Sequence, residues 1–243
     1  MDMIETRGLS KRYGEKWAVR ELTLSVHQGE LFSLLGVNGA GKTTTIRMLS
    51  CLSEPTAGEA SVGGFSCGGQ KREIKQIIGM SPQDTAVAER LTVRENLELM
   101  ASVYGFDRQR VRERTERMIA DFHLEEVERQ QARTLSGGWK RKLSIAMALI
   151  GEPKVLFLDE PTLGLDVLAR RELWRVIERL KGKITIVLTT HYMEEAEHLS
   201  DRVAIMIAGR IAESGTLPEL LERTGKDNLE DAFVEIAEKE EII

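Results

Sequence analysis

The chain has 243 residues, of which 42% are hydrophobic and 30% are charged, and its formal net charge is −5. This composition predicts one large domain with a substantial core, and the acidic balance argues against a nucleic-acid partner, because non-specific binding needs a basic surface. The N-terminus lacks an apolar signal sequence, and no stretch reaches the roughly 18 apolar residues of a membrane span. We therefore expect a cytoplasmic protein that reaches a membrane only through a partner.

The first half of the chain predicts strands followed by helices. Short alternating runs in the first 30 residues indicate antiparallel strands. A buried strand at 31–36 leads into a glycine-rich loop and a helix at about 41–51, and another short strand ends near Gln83. The apolar spacing then becomes helical, which predicts an α-helical subdomain inserted over residues 84–150.

Strands and helices alternate after residue 151. The expected segments are strands at 154–159, 183–191 and 202–209, with helices at 167–180 and 193–200. Such alternation predicts an α/β fold with a mostly parallel sheet and helices on both faces. Residues 1–83 and 151–215 would form the core, including an N-terminal antiparallel β subdomain, and 216–243 a short C-terminal helical tail.

The segment GVNGAGKT at 36–43 fits the phosphate-loop pattern G-x-x-x-x-G-K-[ST] between a predicted strand and a predicted helix. Its glycines let backbone N–H groups approach the β- and γ-phosphates, Lys42 adds a charge, and the Thr43 hydroxyl can ligate Mg²⁺. The residues expected to bind nucleotide are Gly36, Asn38, Gly39, Ala40, Gly41, Lys42, Thr43 and Thr44. The pattern indicates a P-loop nucleoside triphosphatase, without saying which one.

The segment VLFLDEP at 155–161 places two carboxylates after an apolar strand. Open α/β sheets bind ligands at the carboxyl ends of their strands. Asp159 is therefore expected to hold Mg²⁺, and Glu160 to act as the base or positioning group for an attacking water. An Asp-Glu pair can also be a solvated turn, and the phosphate loop upstream favours the catalytic interpretation.

Three isolated residues are further candidates for the same site. Gln83 follows a predicted strand and can contact Mg²⁺ or the attacking water, and His191 follows a core strand and can hydrogen-bond to the γ-phosphate. Tyr13 can stack on adenine, as can Trp17, for which core packing is favoured. Each residue also has a structural alternative: an exposed amide, a structural histidine or a packed aromatic ring.

The stretch RTLSGGWKRKLSIAMALI at 133–150 has the features of a second anion site. Ser136 is a predicted helix N-cap, Gly137 and Gly138 allow close backbone approach, and the helix dipole favours a negative charge there. The first turn also carries three cations, although the positive end of the helix dipole disfavours them: Lys140, Arg141 and Lys142. Local rules are often broken at functional sites, so these cations also favour an anion site.

In this order, the motifs resemble those of the ATP-binding cassette (ABC) ATPases. The loop at 36–43 corresponds to Walker A, Gln83 to the Q-loop glutamine, LSGGW to the signature, and VLFLDE to Walker B. LGLD at 163–166 corresponds to the D-loop and His191 to the switch histidine. The segment TTHYMEEAEHLSDRVAIMIAGRIAESGTLPEL and the tail NLEDAFVEIAE are similar to the ABC-2 export type, whose drug-resistance members are best known. Trp139 and Leu163 depart from the residues common at those motif positions.

The resemblance implies that two cassettes meet head to tail. Ser136, Gly137 and Gly138 would then cap an ATP held by the Walker loop of a second chain, which accounts for two anion sites in one sequence. Trp139 is expected on the face that closes over that nucleotide, with packing inside its own subdomain as the alternative.

The resemblance also implies a role for the dimer in transport. Mg-ATP hydrolysis would drive a separate transmembrane permease that contacts about Gln83–Met100 and holds the chain on the inner face of the cell membrane. This contact segment could also be an ordinary solvated loop and helix. The functional alternative is a soluble ABC-type ATPase acting on non-transport machinery, whereas a P-loop kinase or GTPase leaves LSGG and His191 unexplained.

Overall fold

Two β-sheets with helices packed around them make up the structure, a computed structural model that describes residues 1–240. The strands are β1 (Asp2–Tyr13), β2 (Lys16–His27), β3 (Leu31–Leu35), β4 (Ala57–Val62), β5 (Phe65–Ser66), β6 (Ile78–Ser81), β7 (Val155–Asp159), β8 (Thr185–Thr190), β9 (Arg202–Ile207) and β10 (Arg210–Gly215). The helices are α1 (Lys42–Leu49), α2 (Lys71–Ile77), α3 (Val93–Val103), α4 (Arg108–Asp121), α5 (Gly137–Leu149), α6 (Val167–Glu178), α7 (Met193–Leu199), α8 (Leu217–Thr224) and α9 (Leu229–Lys239).

The antiparallel sheet has the strand order β2-β1-β4-β5. The long strands β1 and β2 form the predicted N-terminal antiparallel strands, and β1 also pairs with β4. The sequence did not predict β4, β5 or α2, because the region between 52 and 77 is rich in glycine and polar residues and has no clear apolar period. The mixed α/β fold with an antiparallel sheet is confirmed.

The second sheet has the order β10-β9-β3-β8-β7-β6, and every neighbouring pair is parallel except β9 and β10. Every residue of β3, β7 and β8 is buried, as continuous apolar runs predict for a sheet covered on both faces. In the register, Leu35 lies beside Thr190, and Asp159 lies beside Thr189. The carboxyl ends of these three strands therefore share one edge, so the segments that follow them are neighbours.

The helices between β6 and β7 pack against the sheet through one hydrophobic cluster that includes Leu97, Leu143 and Leu156. Helix α3 begins with a capping box in which Thr92 and Glu95 bond to each other's backbone N–H groups, which satisfies two of the free donors of the first turn. The last part of the described chain forms α8 and α9, which pack on a separate cluster with β9. Within residues 1–240, no helix is both long and apolar enough to cross a membrane.

The contact between β6 and α5 joins the segment before Gln83 to the helix after LSGG. The hydroxyls of Ser81 and Ser144 are 2.8 Å apart and hydrogen-bonded in the core. Gly79 lies so close to α5 that a methyl group on its Cα would overlap the carbonyl oxygen of Ala148. A backbone atom cannot move aside as a side chain can, so this glycine is required by packing.

We predict that Gly79→Ala destabilises the fold, because the added methyl forces β6 and α5 apart. The expected loss in the free energy of unfolding is about 2 kcal/mol or more, measured by urea denaturation. Gly69→Ala is the matched control, since a methyl at Gly69 meets open space and should change stability by less than about 0.5 kcal/mol. Equal stabilities for the two variants would contradict the close contact.

Candidate nucleotide-binding site

A cleft of about 530 Å³ lies at the carboxyl edge of the parallel sheet. It is lined by Tyr13, Lys16, Ala18, Asn38, Gly39, Ala40, Gly41, Lys42, Thr43, Thr44, Gln83, Glu160, Leu163 and His191. The structure thus brings the phosphate loop together with Glu160 of the VLFLDEP segment and with the isolated candidates Tyr13, Gln83 and His191. These residues come from distant parts of the sequence. They meet because β1, β3, β6, β7 and β8 all end near this edge.

The phosphate loop ends at Gly41, whose φ of 110° is a conformation that side chains disfavour. A Cβ at this position would also overlap the carbonyl oxygen of Ala18, so only glycine fits. Helix α1 begins immediately afterwards with no acidic residue in its first turn. The first N–H groups of a helix have no partner within it, and the dipole there is positive, which makes this end of the cleft suitable for phosphate.

A chain of ionisable side chains crosses the base of the cleft. The Lys42 ammonium lies 3.1 Å from Glu160 Oε1, and Glu160 Oε2 lies 2.7 Å from Nδ1 of His191. Lys42 also donates to the carbonyl oxygens of Gly36 at 2.7 Å and Val37 at 3.2 Å. Lys42 and Glu160 are each 5% exposed, so their attraction is screened little by water. A phosphate entering the loop must compete with Glu160 for the lysine.

Glu160 has an unusual backbone conformation, with φ of 48° in the left-handed region. Such strain in a non-glycine residue persists only where surrounding contacts impose it, and it often occurs at functional sites. Here the Glu160 N–H donates to the backbone oxygen of Thr189 at 3.1 Å and to its Oγ1 at 3.0 Å. The conformation turns the chain sharply after β7, so the carboxylate faces the cleft.

The residues predicted to hold Mg²⁺ are arranged in a way that fits the ion. Thr43 Oγ1 donates to Asp159 Oδ1 at 3.0 Å, so a hydroxyl and a carboxylate oxygen already converge, and Gln83 lines the same cleft. Mg²⁺ prefers such oxygen ligands and usually retains several waters. Asp159 is fixed by a second bond, from Thr189 Oγ1 at 2.5 Å. Thr189 was not predicted as part of the site, although two threonines ending an apolar strand are a recognisable signal.

The segment at Gln83 is held by Arg141, whose guanidinium donates to the backbone oxygens of Pro82 and Gln83, both at 2.6 Å. Burial lowers the pKa of Arg141, while nearby carboxylates including Asp159 oppose that shift, and an arginine remains charged in either case. The expectation that Arg141 and the two lysines beside it strengthen an anion site stays a prediction, because the structure shows these cations only with partners inside the chain. The two lysines also have partners inside the chain. Lys140 pairs with Glu89, and Lys142 pairs with Glu172.

The signature segment lies apart from the cleft, since Ser136, Gly137 and Gly138 do not line it. Ser136 is the N-cap of α5, as predicted, but its side chain makes no capping bond and is exposed. Trp139 is half-buried against the helical cluster, and the Lys142 ammonium lies 4.5 Å from its ring centroid. Part of this indole is therefore packed within its own chain.

The remaining lining of the cleft comes from the N-terminal strands and the D-loop. Tyr13 is 50% exposed at the rim, with the Lys11 ammonium 5.1 Å from its ring centroid. Lys16, Ala18 and Leu163 were not predicted as lining residues, because only the fold of the β1–β2 hairpin and of the turn after Glu160 brings them there. Trp17 lies outside the lining, and the Arg12 guanidinium lies 5.7 Å from its ring centroid.

The fold and the cleft define a P-loop nucleoside triphosphatase. The sequence profile of the family described as "ABC transporter" matches residues 19–163. The daunorubicin resistance ATP-binding protein DrrA3 of Streptomyces coeruleorubidus is 42% identical over 228 residues, which cover 93% of this chain and 72% of that protein. The chain belongs to the ABC transporter family, in which it is an ATPase that resembles the drug-resistance ATP-binding proteins.

Two solved structures agree with this assignment. An "ATP binding subunit of ABC transporter" superposes with a TM-score of 0.86 at 32% identity, covering 97% of this chain and 99% of that one. A dimeric, post-hydrolysis state of the ATP-binding cassette MJ0796 with ADP and Pi superposes with a TM-score of 0.80 at 25% identity, covering 88% of this chain and 99% of that one.

We predict that substitutions at Lys42 and Glu160 both lower turnover but differ in their effect on ATP binding. Lys42→Ala removes the cation that faces the phosphates, and should lower both ATP affinity and turnover, the latter by about a hundredfold or more. Glu160→Gln should lower turnover by about a hundredfold and retain ATP, because the neutral amide no longer competes for Lys42. Steady-state phosphate release and equilibrium ATP binding measure the two effects.

Lys71→Ala is the control for the loss of a lysine, since Lys71 pairs on the surface with Glu54 and does not line the cleft. Its turnover should match that of the unmodified chain. Near-normal hydrolysis by Glu160→Gln would remove Glu160 from its predicted role, and normal ATP affinity in Lys42→Ala would do the same for Lys42.

Proposed function

We propose that this chain is the ATP-hydrolysing subunit of a membrane exporter, working as a dimer around two Mg-ATP and driving separate transmembrane subunits. The observation that carries the proposal is the separation of the signature segment from the cleft that contains every other motif. A site divided in this way needs a second chain for completion. DrrA3 is named for daunorubicin resistance, and the resemblance to it supports export as the process that ATP hydrolysis by this chain drives.

In the proposed dimer, two chains meet head to tail. The unbonded hydroxyl of Ser136 and the N-terminus of α5 at Gly137 and Gly138 would face the γ-phosphate held by the other chain's loop. The dimeric state of the similar MJ0796 cassette supports this arrangement. In the same state, the exposed part of Trp139 would lie close to the second chain.

The residues of the cleft have distinct proposed roles in hydrolysis. Tyr13 stacks on adenine, and the loop from Gly36 to Thr44 surrounds the phosphates. Lys42 stabilises charge on the γ-phosphate, and Glu160 orients the attacking water and accepts its proton. His191 holds the Glu160 carboxylate through Nδ1 and, as the γ-phosphate enters, bonds to that phosphate.

Thr43, Asp159 and Gln83 would hold Mg²⁺, which when bound supplies positive charge that neutralises the phosphate oxygens. The convergence of Thr43 and Asp159 supports this assignment. Because the Gln83 backbone is fixed by Arg141 of α5, a shift at the metal site moves the signature helix as well.

The permease would contact the segment Gln83–Met100 and the adjoining end of α3, within a helical subdomain of residues 84–150. Helix α3 exposes Leu99 and Val103, which are 49% and 71% exposed, beside charged residues on the same helix. Exposed apolar side chains of this kind are typical of contact surfaces. The chain would thereby lie on the cytoplasmic face of the cell membrane. The predicted C-terminal tail spans residues 216–243, of which 241–243 lie outside the described residues.

The dimer is tested with the Glu160→Gln variant, which should associate in Mg-ATP and remain monomeric in ADP, because only ATP carries the γ-phosphate that Ser136 must reach. Sedimentation velocity measures the two states. Adding Ser136→Glu to this variant places a negative charge against that phosphate and should abolish association. ATP binding by the single chain should persist, since Ser136 lies outside its cleft.

A Glu160→Gln chain that stays monomeric at high protein concentration and saturating Mg-ATP would argue against the head-to-tail site. Loss of single-chain ATP binding in the Ser136→Glu double variant would place the signature in its own cleft instead.

The membrane partner is tested by purifying the tagged chain from detergent-solubilised membranes of its own host and identifying co-purified polytopic proteins by mass spectrometry. Leu99→Asp with Val103→Asp should remove that partner while the ATPase activity of the isolated chain stays within about twofold, because both residues lie outside the cleft. Val234→Asp, at another exposed apolar residue on α9, should retain the partner. Recovery of soluble machinery in place of a membrane protein would favour the non-transport alternative.

A further inference from the structure

Glu195, in the first turn of α7, is a fully buried carboxyl group that the mechanism above does not use. Its exposed fraction is 0%. Its Oε1 accepts a hydrogen bond from Trp174 Nε1 of α6 at 3.1 Å, and its Oε2 has no hydrogen-bond partner. No cation forms an ion pair with it within the described part of the chain, which is unusual for a buried glutamate.

Two threonine hydroxyls lie next to this carboxyl group, those of Thr162 and Thr190. Thr162 is also 0% exposed, and its Oγ1 has no hydrogen-bond partner, whereas Thr190 Oγ1 accepts from the Tyr192 N–H at 2.9 Å. Two unsatisfied polar atoms, Glu195 Oε2 and Thr162 Oγ1, therefore lie close together in the core. Buried polar groups are nearly always paired, so these two need an explanation.

A proton on Glu195 would provide it. Burial raises the pKa of this carboxyl and the negative charge of Glu160 adds to that shift, whereas the neighbouring hydroxyls of Thr190 and Thr162 and the Trp174 N–H oppose it by favouring the charged form. A neutral carboxyl has one carbonyl oxygen and one O–H group. Because Trp174 donates to Oε1, the proton would lie on Oε2, and Thr162 Oγ1 could accept it. One hydrogen bond would then satisfy both unpaired atoms.

Thr162 and Glu195 each lie beside a residue of the hydrolytic centre. Thr162 is two residues after Glu160, in a turn where the Leu163 N–H donates to the Glu160 oxygen at 3.2 Å and the Leu165 N–H to the Thr162 oxygen at 3.1 Å. Glu195 is four residues after His191. A bond between Thr162 and Glu195 joins the two segments whose carboxylate and imidazole are already in contact.

We propose that Glu195 is a positioning residue for ATP hydrolysis: as a neutral carboxylic acid, it joins Trp174 of α6 to Thr162 and thereby fixes the turn that carries Glu160 beside His191. Glu195 is not among the residues that line the cleft. Its effect is on the orientation of Glu160, whose left-handed backbone conformation needs such support.

The experiment compares Glu195→Gln with Glu195→Ala in purified full-length chain, measuring kcat and KM for ATP and the melting temperature. Glutamine has the same shape and can accept from Trp174 and donate to Thr162, so it should retain kcat within about twofold and leave the melting temperature unchanged. Alanine removes both bonds and should lower kcat about tenfold, with less than about a threefold change in KM, because the phosphate loop is untouched.

Glu30→Gln is the matched control, since Glu30 is buried too but is paired with Arg202 at 3.1 Å. The same change of a carboxylate to an amide there leaves a charged partner unmatched, and should lower the melting temperature by about 5 °C or more without lowering kcat. This contrast separates a neutral buried glutamate from an ionised one. It also shows that loss of stability by itself does not reduce turnover.

Thr162→Val removes only the hydroxyl and keeps the volume, so it tests the same bond even where alanine at 195 prevents folding. It should lower kcat about three- to tenfold at unchanged KM, and combining it with Glu195→Ala should add little further loss. If Glu195→Gln lowered kcat as much as Glu195→Ala does, the proposal that Glu195 is a neutral acid would be wrong. Normal kcat in Thr162→Val, or in a less stable Glu195→Ala, would overturn the positioning role.

Discussion

The buried contact between Lys42 and Glu160 is the interaction on which the rest of the site depends. It places a cation and a carboxylate 3.1 Å apart in a region where neither is hydrated. Removing water from two charges is costly unless further bonds compensate, and here two loop carbonyls and His191 provide them. The same features make the contact exchangeable, because a phosphate offers Lys42 more negative charge than one carboxylate does. Lys42 is therefore held in place before any nucleotide binds, and we expect a bound phosphate to take the place of Glu160 as its partner.

This arrangement requires three strands to end at one level, and the parallel sheet supplies that geometry. The register sets Leu35 beside Thr190 and Asp159 beside Thr189, and so brings together residues that are 155 and 30 positions apart in the sequence. Thr189 then bonds to both Asp159 and the Glu160 backbone, so one side chain fixes the Asp159 carboxylate and the turn after it. Arg141 extends the same rigidity to the Gln83 segment. Side-chain bonds therefore tie these segments to one another in addition to the sheet itself.

Much of this could be predicted from the sequence, because the motif residues carry their chemistry in their type and spacing. The phosphate loop, Asp159, Glu160 and the strands preceding them follow from apolar runs that end in glycine or acidic residues. Long-range pairings could not be predicted in the same way. Nothing in the run Lys140, Arg141 and Lys142 indicates that the guanidinium reaches back to Pro82 and Gln83, and the basic run suggested an anion site instead. Lys16 and Thr189 were missed because their roles exist only once strands from different parts of the chain are adjacent.

The two glutamates of this region differ in environment although both are buried. Glu160 has a cation and an imidazole against it, whereas Glu195 has an indole N–H and hydroxyls. A neighbouring cation favours a charged carboxylate, whereas burial without such a cation favours the neutral acid. The two environments therefore fit the proposed division, in which Glu160 acts on the water and Glu195 holds the turn. A negative Glu160 nearby further disfavours charge on Glu195, and a neutral Glu195 would not compete for Lys42.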